Sequence, residues 1–87
     1  MTRRMHCRLQ AIIDAHNSAV ADGAPGMRLT QRAVAESTGI AVTTISRLAQ
    51  DTAMRVDYAT IERLCAFLQC ELSDLLVLRE EHSDDED

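Results

Sequence analysis

The 87-residue sequence predicts an all-α fold, one small domain of five short helices. Three observations carry this reading. Apolar residues recur at three- and four-residue spacings nearly throughout, which is the period of a helix buried along one face. No segment shows the strict apolar–polar alternation of a half-buried strand. The periodic segments are broken by residues that favour turns, among them all three glycines and the single proline. A domain of about 60 residues buries only about 60% of its unfolded surface, so a chain of this size has little core to spend on a separate substrate lobe. A minimal binding unit is the better match.

In chain order, Met5, Leu9, Ile12, Ile13 and His16 form one stripe of a first amphipathic helix that extends toward Val20. Asp22–Gly26 (DGAPG) must be a loop. Thr30 stands at an N-cap position, and a short second helix follows from Gln31 to about Thr38. Gly39 suits the left-handed residue that closes such a helix, a conformation that costs a residue with a Cβ roughly 1 kcal/mol or more. A third helix is expected from about Val42 to Gln50, locally weakened by the β-branched run Val42–Ile45. After a loop at Asp51–Val56, Asp57 caps a fourth helix whose inner face is Ile61, Leu64, Cys65 and Leu68. A turn at Gln69–Glu71 leads to a last helix carrying Leu72, Leu75 and Leu76. The domain is expected to span residues 1–79, and the acidic stretch 80–87, with no apolar residue, is expected to be a disordered tail.

The formal net charge is −5, but it is unevenly placed. Six of the fourteen acids lie in the last eight residues, which leaves eight acids against nine basic residues in the body of the chain. Every basic residue is Arg, whose planar fork pairs with phosphate and guanine in a way the Lys point charge does not. Tyr58 and Phe67 are the only aromatics, which argues against stacking platforms for single-stranded nucleic acid. Three cysteines without C-x-x-C spacing argue against a disulfide framework or a zinc knuckle. The N-terminus lacks the apolar core of a signal peptide, and no apolar run is long enough to cross a membrane, so a cytoplasmic protein is expected. No nucleophile–base pair or metal triad occurs at an interpretable spacing. We therefore expect no catalysis, no cofactor and no metal.

The informative stretch is Gln31–Gln50, QRAVAESTGIAVTTISRLAQ. Counting Gln31 as first, small Ala35 is fifth and Gly39 ninth, with aliphatic Val34, Ile40, Ile45 and Leu48 around them. Two helices crossing sharply need a small side chain at closest approach, and the turn between them needs a residue tolerant of the left-handed region. This pattern resembles the helix-turn-helix of the Xre family, the Cro- and phage-repressor-like DNA-binding proteins. The downstream RVDYATIERLCAFLQCELSDLL resembles the closing helices of small Xre-type regulators, so the resemblance covers roughly Arg3–Leu78.

The resemblance implies a compact five-helix lambda-repressor-like DNA-binding domain and a function as a transcriptional regulator, a repressor acting by operator occupancy. The second helix of the motif would enter the major groove with its N-terminal residues at base edges. Val42, Thr43, Ser46 and Arg47 then become the base-reading candidates, with Arg47 suited to a bidentate contact to guanine. Gln31, Thr44 and Arg55 match phosphate-contacting positions, which orient the protein without reading sequence. Double-stranded DNA is the implied partner, bound by a homodimer on half-sites about 34–36 Å apart. The last helix, or apolar Val77 and Leu78, would form the dimer surface. Two departures stand out: Ala41 replaces the usual polar cap of the recognition helix, and residues 22–28 lengthen the preceding loop. Asp51 is also unfavourable so near a phosphate-facing loop.

Other readings weigh against these. Arg47 could pair with a neighbouring acid. Arg3, Arg4 and Arg8 are either solubilising charge or a cluster that follows phosphates. Cys65 reads as core, Cys7 and Cys70 as accessible thiols, His16 as a packed side chain, and His6 beside Cys7 as too small a set for a metal. The rival functions are an antitoxin-type partner, in which the same fold grips another protein, and a helical module that has lost DNA binding.

Overall fold

The computed structural model describes residues 2–81. Its order is β1 (Thr2–Cys7), α1 (Leu9–Ala21), α2 (Gln31–Thr38), α3 (Val42–Ala49), α4 (Tyr58–Leu68), α5 (Leu72–Leu75) and β2 (Leu76–Glu81). The five helices match the expected order. The two strands do not, and the fold is mostly helical with a small sheet rather than all-α.

The core is a single cluster of Leu9, Ile13, Val34, Ala35, Ile40, Ile45, Leu48, Leu64 and Leu75, and among the described residues no polar or charged one is buried. Each helix from α1 to α5 contributes at least one of them. Ile12, Ile61, Cys65, Phe67 and Leu68 pack around the cluster while keeping some contact with solvent. Burying such aliphatic side chains contributes about 1.5–3 kcal/mol apiece before ordering costs, so α1–α5 are held by tertiary packing more than by their own propensity.

The helix boundaries follow from local chemistry. Thr30 is extended, and its Oγ1 accepts the Ala33 N–H at 3.0 Å, which starts α2. Gly39, at φ 74°, ends it, and the Gly39 N–H donates to the Ala35 carbonyl. Asp57 caps α4 by accepting the Thr60 N–H at 3.0 Å. Gln69 closes that helix in the left-handed region. Ala41 provides no side-chain bond to α3, as its methyl group dictates.

The long loop after α1 is fastened rather than loose. Asn17 Nδ2 donates to the Leu29 carbonyl at 2.9 Å, and its Oδ1 accepts the Leu29 N–H at 2.7 Å. His16 Nε2 lies 2.7 Å from the Met27 carbonyl, so that nitrogen carries a proton. His16 is thus half-buried and bonded to the loop.

Both ends of the described chain correct the expectations. Met5 does not continue the α1 stripe; it belongs to β1, and α1 starts only at Leu9. Leu76 does not close the last helix; it begins β2. The strands pair antiparallel from Thr2↔Glu81 to Cys7↔Leu76. Met5 stood four residues before Leu9, which imitates a helical repeat, but six residues extended against a partner strand satisfy every second backbone group through that partner. Arg3 lies opposite Glu80, a favourable cross-strand charge pair. Cys7 and Leu76 pack against the core, whereas Met5 and Leu78 face each other and remain more than half exposed. Glu80 and Glu81, expected in the tail, are strand residues, while the tail's residues 82–87 lie outside the described residues. The Arg8 N–H donates to the Leu75 carbonyl at 2.7 Å and joins the start of α1 to the end of α5.

Candidate nucleic-acid interface

The α2–turn–α3 unit is built around small residues. Ala35 is buried where α2 meets its neighbours, and Gly39 turns the chain so that Ile40 enters the core before α3 begins. On α3, Ile45 and Leu48 are buried, with 0% and 2% exposure. A helix that buries those two positions turns 43, 46 and 47 away from the core and leaves 42 on the flank of its first turn. Val42, Thr43 and Arg47 are exposed, and Ser46 is half-buried on the same flank.

The individual side chains differ in availability. Among the described residues no acid forms an ion pair with Arg47, so the reading in which a neighbouring acid occupies it finds no partner there. Ser46 Oγ accepts from Gln50 Nε2 at 3.1 Å. Its own hydroxyl proton is then directed elsewhere. Thr44 is half-buried and lines one shallow concavity of about 350 Å³ together with Arg47, Thr52 and Arg55. Three sequence-derived candidates from two different elements are thus brought to one place.

Gln31 sits at the start of α2, where the backbone N–H groups of the first turn point outward. Its Nε2 donates to Gln10 Oε1 at 3.0 Å, and Gln10 Nε2 in turn donates to Asp14 Oδ1 at 2.9 Å. One proton of the Gln31 amide is therefore engaged with α1, and the other is left for a further acceptor. Gln31 is not among the residues that line the Thr44–Arg47–Arg55 concavity.

Sequence reasoning misjudged one acid near this face. Asp51 follows Gln50, the C-cap of α3. Its Oδ1 accepts the Cys7 N–H at 2.8 Å, and its Oδ2 lies 2.7 Å from His6 Nδ1. The Cys7 N–H, then the His6 ring, hold the Asp51 carboxyl below the usual carboxylate range. The acid that looked unfavourable beside a phosphate-facing loop is thus turned toward β1. No local spacing announces this, because the partners lie at opposite parts of the chain.

The thiols are less accessible than expected. Burial pushes the Cys7 thiol up. Cys70 is pushed up to about 11, by burial first and by the neighbouring Cys65 second. Cys7, Cys65 and Cys70 all pack against the core and are free thiols. His6 is engaged with Asp51. No helix of the described residues is long and apolar enough to cross a membrane.

A family model, the Cro/C1-type HTH DNA-binding domain, matches residues 26–81. The match takes in α2, α3, α4, α5 and β2, and with them Gln31, Val42, Thr43, Thr44, Ser46, Arg47 and Arg55; it leaves out β1, with Arg3 and Arg4, and α1. No curated protein and no solved structure matches the chain.

Proposed function

The chain belongs to the Cro/C1-type helix-turn-helix DNA-binding family, and from that premise we propose that it is a sequence-specific repressor of transcription that acts by occupying its operator. The observation that carries this is α3 itself: Ile45 and Leu48 fasten it to the core, and Val42, Thr43 and Arg47 face outward from its leading turns. Inserted in a major groove, Val42 and the Thr43 methyl group meet thymine methyls, and Arg47 reaches guanine O6 and N7. Gln31, Thr44 and Arg55 meet phosphates on either side and set the depth and angle of entry. Occupancy of the operator excludes polymerase or a competing factor from the same duplex.

Selection of bound duplexes from a random pool tests the reading, followed by binding measurements on the recovered sequence. Arg47→Ala should cost about 1–3 kcal/mol on that duplex and relax preference at one guanine. Gln31→Ala should weaken recovered and random duplexes alike. If about six phosphates are neutralised, log K should fall against log salt with a slope near −5. A pool with no enriched sequence, or equal effects of the two substitutions on both duplexes, counts against the roles assigned.

One domain covers one half-site, so we place two copies on a pseudo-palindrome. The dimer surface we favour is the apolar groove of about 460 Å³ between α4 and the α5–β2 segment, lined by Val56, Ile61, Cys65 and Leu76 and flanked by exposed Tyr58 and Leu72. It includes the last helix, as the sequence suggested, but uses Leu76 rather than Val77 and Leu78. Light scattering should give twice the chain mass for the native protein and a monomer for Leu72→Glu; a native monomer on and off DNA ends this part of the proposal. The same groove would serve another protein in an antitoxin-type complex, and a chain that binds a partner but no duplex would favour that reading.

A further inference from the structure

We propose that Asp51 is a positioning residue for DNA binding: it ties the loop that carries Arg55 to the terminal ribbon and so fixes where that arginine meets the duplex. The inference rests on the reading in which Arg55 contacts phosphate.

The loop between α3 and α4, residues 50–57, touches the core through the small side chain of Ala53, which gives it little leverage of its own. Its first turn is closed only on the α3 side, where the Thr52 N–H and hydroxyl both reach the Arg47 carbonyl, at 2.9 and 3.3 Å. Beyond it, Met54 and Arg55 are exposed. Underneath, Met5, Leu48, Asp51, Met54 and Arg55 line a cavity of about 170 Å³, so side-chain packing leaves slack between ribbon and loop. Asp51 also takes φ 60°, a left-handed conformation that Asp tolerates better than most residues with a Cβ but that external support still helps to hold. That support is the pair of bonds to β1, one from the Cys7 backbone and one with the His6 ring.

Two bonds to one carboxylate leave the loop little freedom to pivot, because a single bond permits rotation about itself and a second one forbids it. Backbone N–H and carboxylate form a charge-assisted bond, stronger than a neutral one. Cys7 is itself anchored, since its side chain packs against the core and Cys7 pairs with Leu76. Rigidity therefore passes from core to β1, from β1 to Asp51, and from Asp51 along the loop to Arg55, which lines the concavity shared with Thr44 and Arg47. The ribbon lies outside the family match at β1, so this brace is a feature of the whole chain rather than of the matched segment.

The test is a double-mutant cycle on the full chain, read on a duplex recovered by selection. Asp51→Gly removes the carboxylate while keeping a residue at ease with positive φ. Arg55→Ala alone should make the salt slope shallower by about one. In the Asp51→Gly background the same substitution should change it little, because the arginine no longer reaches its phosphate reproducibly. Circular dichroism confirms that both variants are folded. His6→Phe is the milder probe: it leaves the Cys7–Asp51 bond and should reduce, without abolishing, the effect of Arg55→Ala. Equal and additive effects of Arg55→Ala in native and Asp51→Gly chains overturn the inference. Should Asp51→Gly fail to fold, an undiminished Arg55→Ala effect in His6→Phe overturns it instead. An Arg55→Ala that binds with unchanged slope removes the phosphate contact and the inference with it, and a native chain that binds no duplex removes the underlying function.

Discussion

The α2–α3 unit and the β1–β2 ribbon are held by opposite means. In the first, the cap, the turn and the buried stripe all come from neighbouring residues: Thr30 reaches Ala33, Gly39 reaches Ala35, and Ile40, Ile45 and Leu48 enter the core within nine positions. In the second, Thr2 needs Glu81 and Cys7 needs Leu76. Little of the ribbon is buried, and its Met5 and Leu78 face water. A two-stranded hairpin is marginal alone, so the ribbon relies on the inward contacts of Cys7 and Leu76 and on the His6–Asp51 bond. The unit that would meet DNA is self-consistent locally, while the element that braces it exists only once both ends of the chain have come together.

The sharpest way to break this comparison is to truncate one side chain in each region. Ile45→Ala removes a fully buried side chain and should cost about 2–5 kcal/mol, read as a lower midpoint in urea denaturation. Leu78→Thr alters an exposed strand position with a residue that favours strands, and should move stability by no more than about 0.5 kcal/mol. Similar losses at both sites would mean that the ribbon is as integral as the core.

A smaller effect sharpens the contrast between the two helices of the motif. Thr30 caps α2, while Ala41 leaves α3 uncapped. Ala41→Ser should therefore raise stability, and Thr30→Ala should lower it, each by about 1 kcal/mol in thermal melts. A neutral Ala41→Ser would show that core packing alone sets the start of α3.

The smallest effect is in acid. Asp51 and Asp57 both have carboxyls held below the ordinary value, Asp51 chiefly by the Cys7 N–H and then His6, Asp57 chiefly by its bonds to Thr60. A folded-state pKa below the unfolded one contributes stability that is present above the unfolded value and lost as pH falls through the folded one. Stability should thus decline below pH about 4, and Asp51→Asn should flatten part of that decline. An acid limb identical in the variant would show that the His6–Asp51–Cys7 contacts do not titrate with folding.

The exposed face of α3 was legible for the same reason that its helix was. Once Ile45 and Leu48 are assigned to the core, the period of 3.6 residues turns Thr43 and Arg47 outward, while Val42, three residues before Ile45, lies on the flank and is exposed at the first turn of α3. Gln31 was legible as the first residue of α2, but not its bond to Gln10, because that depends on how α1 packs across it. Asp51 was misjudged because its environment is supplied by β1, from the far end of the chain.

By itself the sequence determined the order of the five helices, the caps at Thr30 and Asp57, the turn at Gly39, the inward face of α3 and the resemblance that the family match bears out. All of these are short-range properties, settled by backbone sterics and by side-chain period within a few turns. Tertiary structure alone decided that Thr2–Cys7 and Leu76–Glu81 are strands, that Cys7 is covered, and that Asp51 faces the ribbon. A strand's backbone hydrogen bonds lie with another segment, so six residues such as TRRMHC carry no signal of their own until the chain's two ends are brought into register.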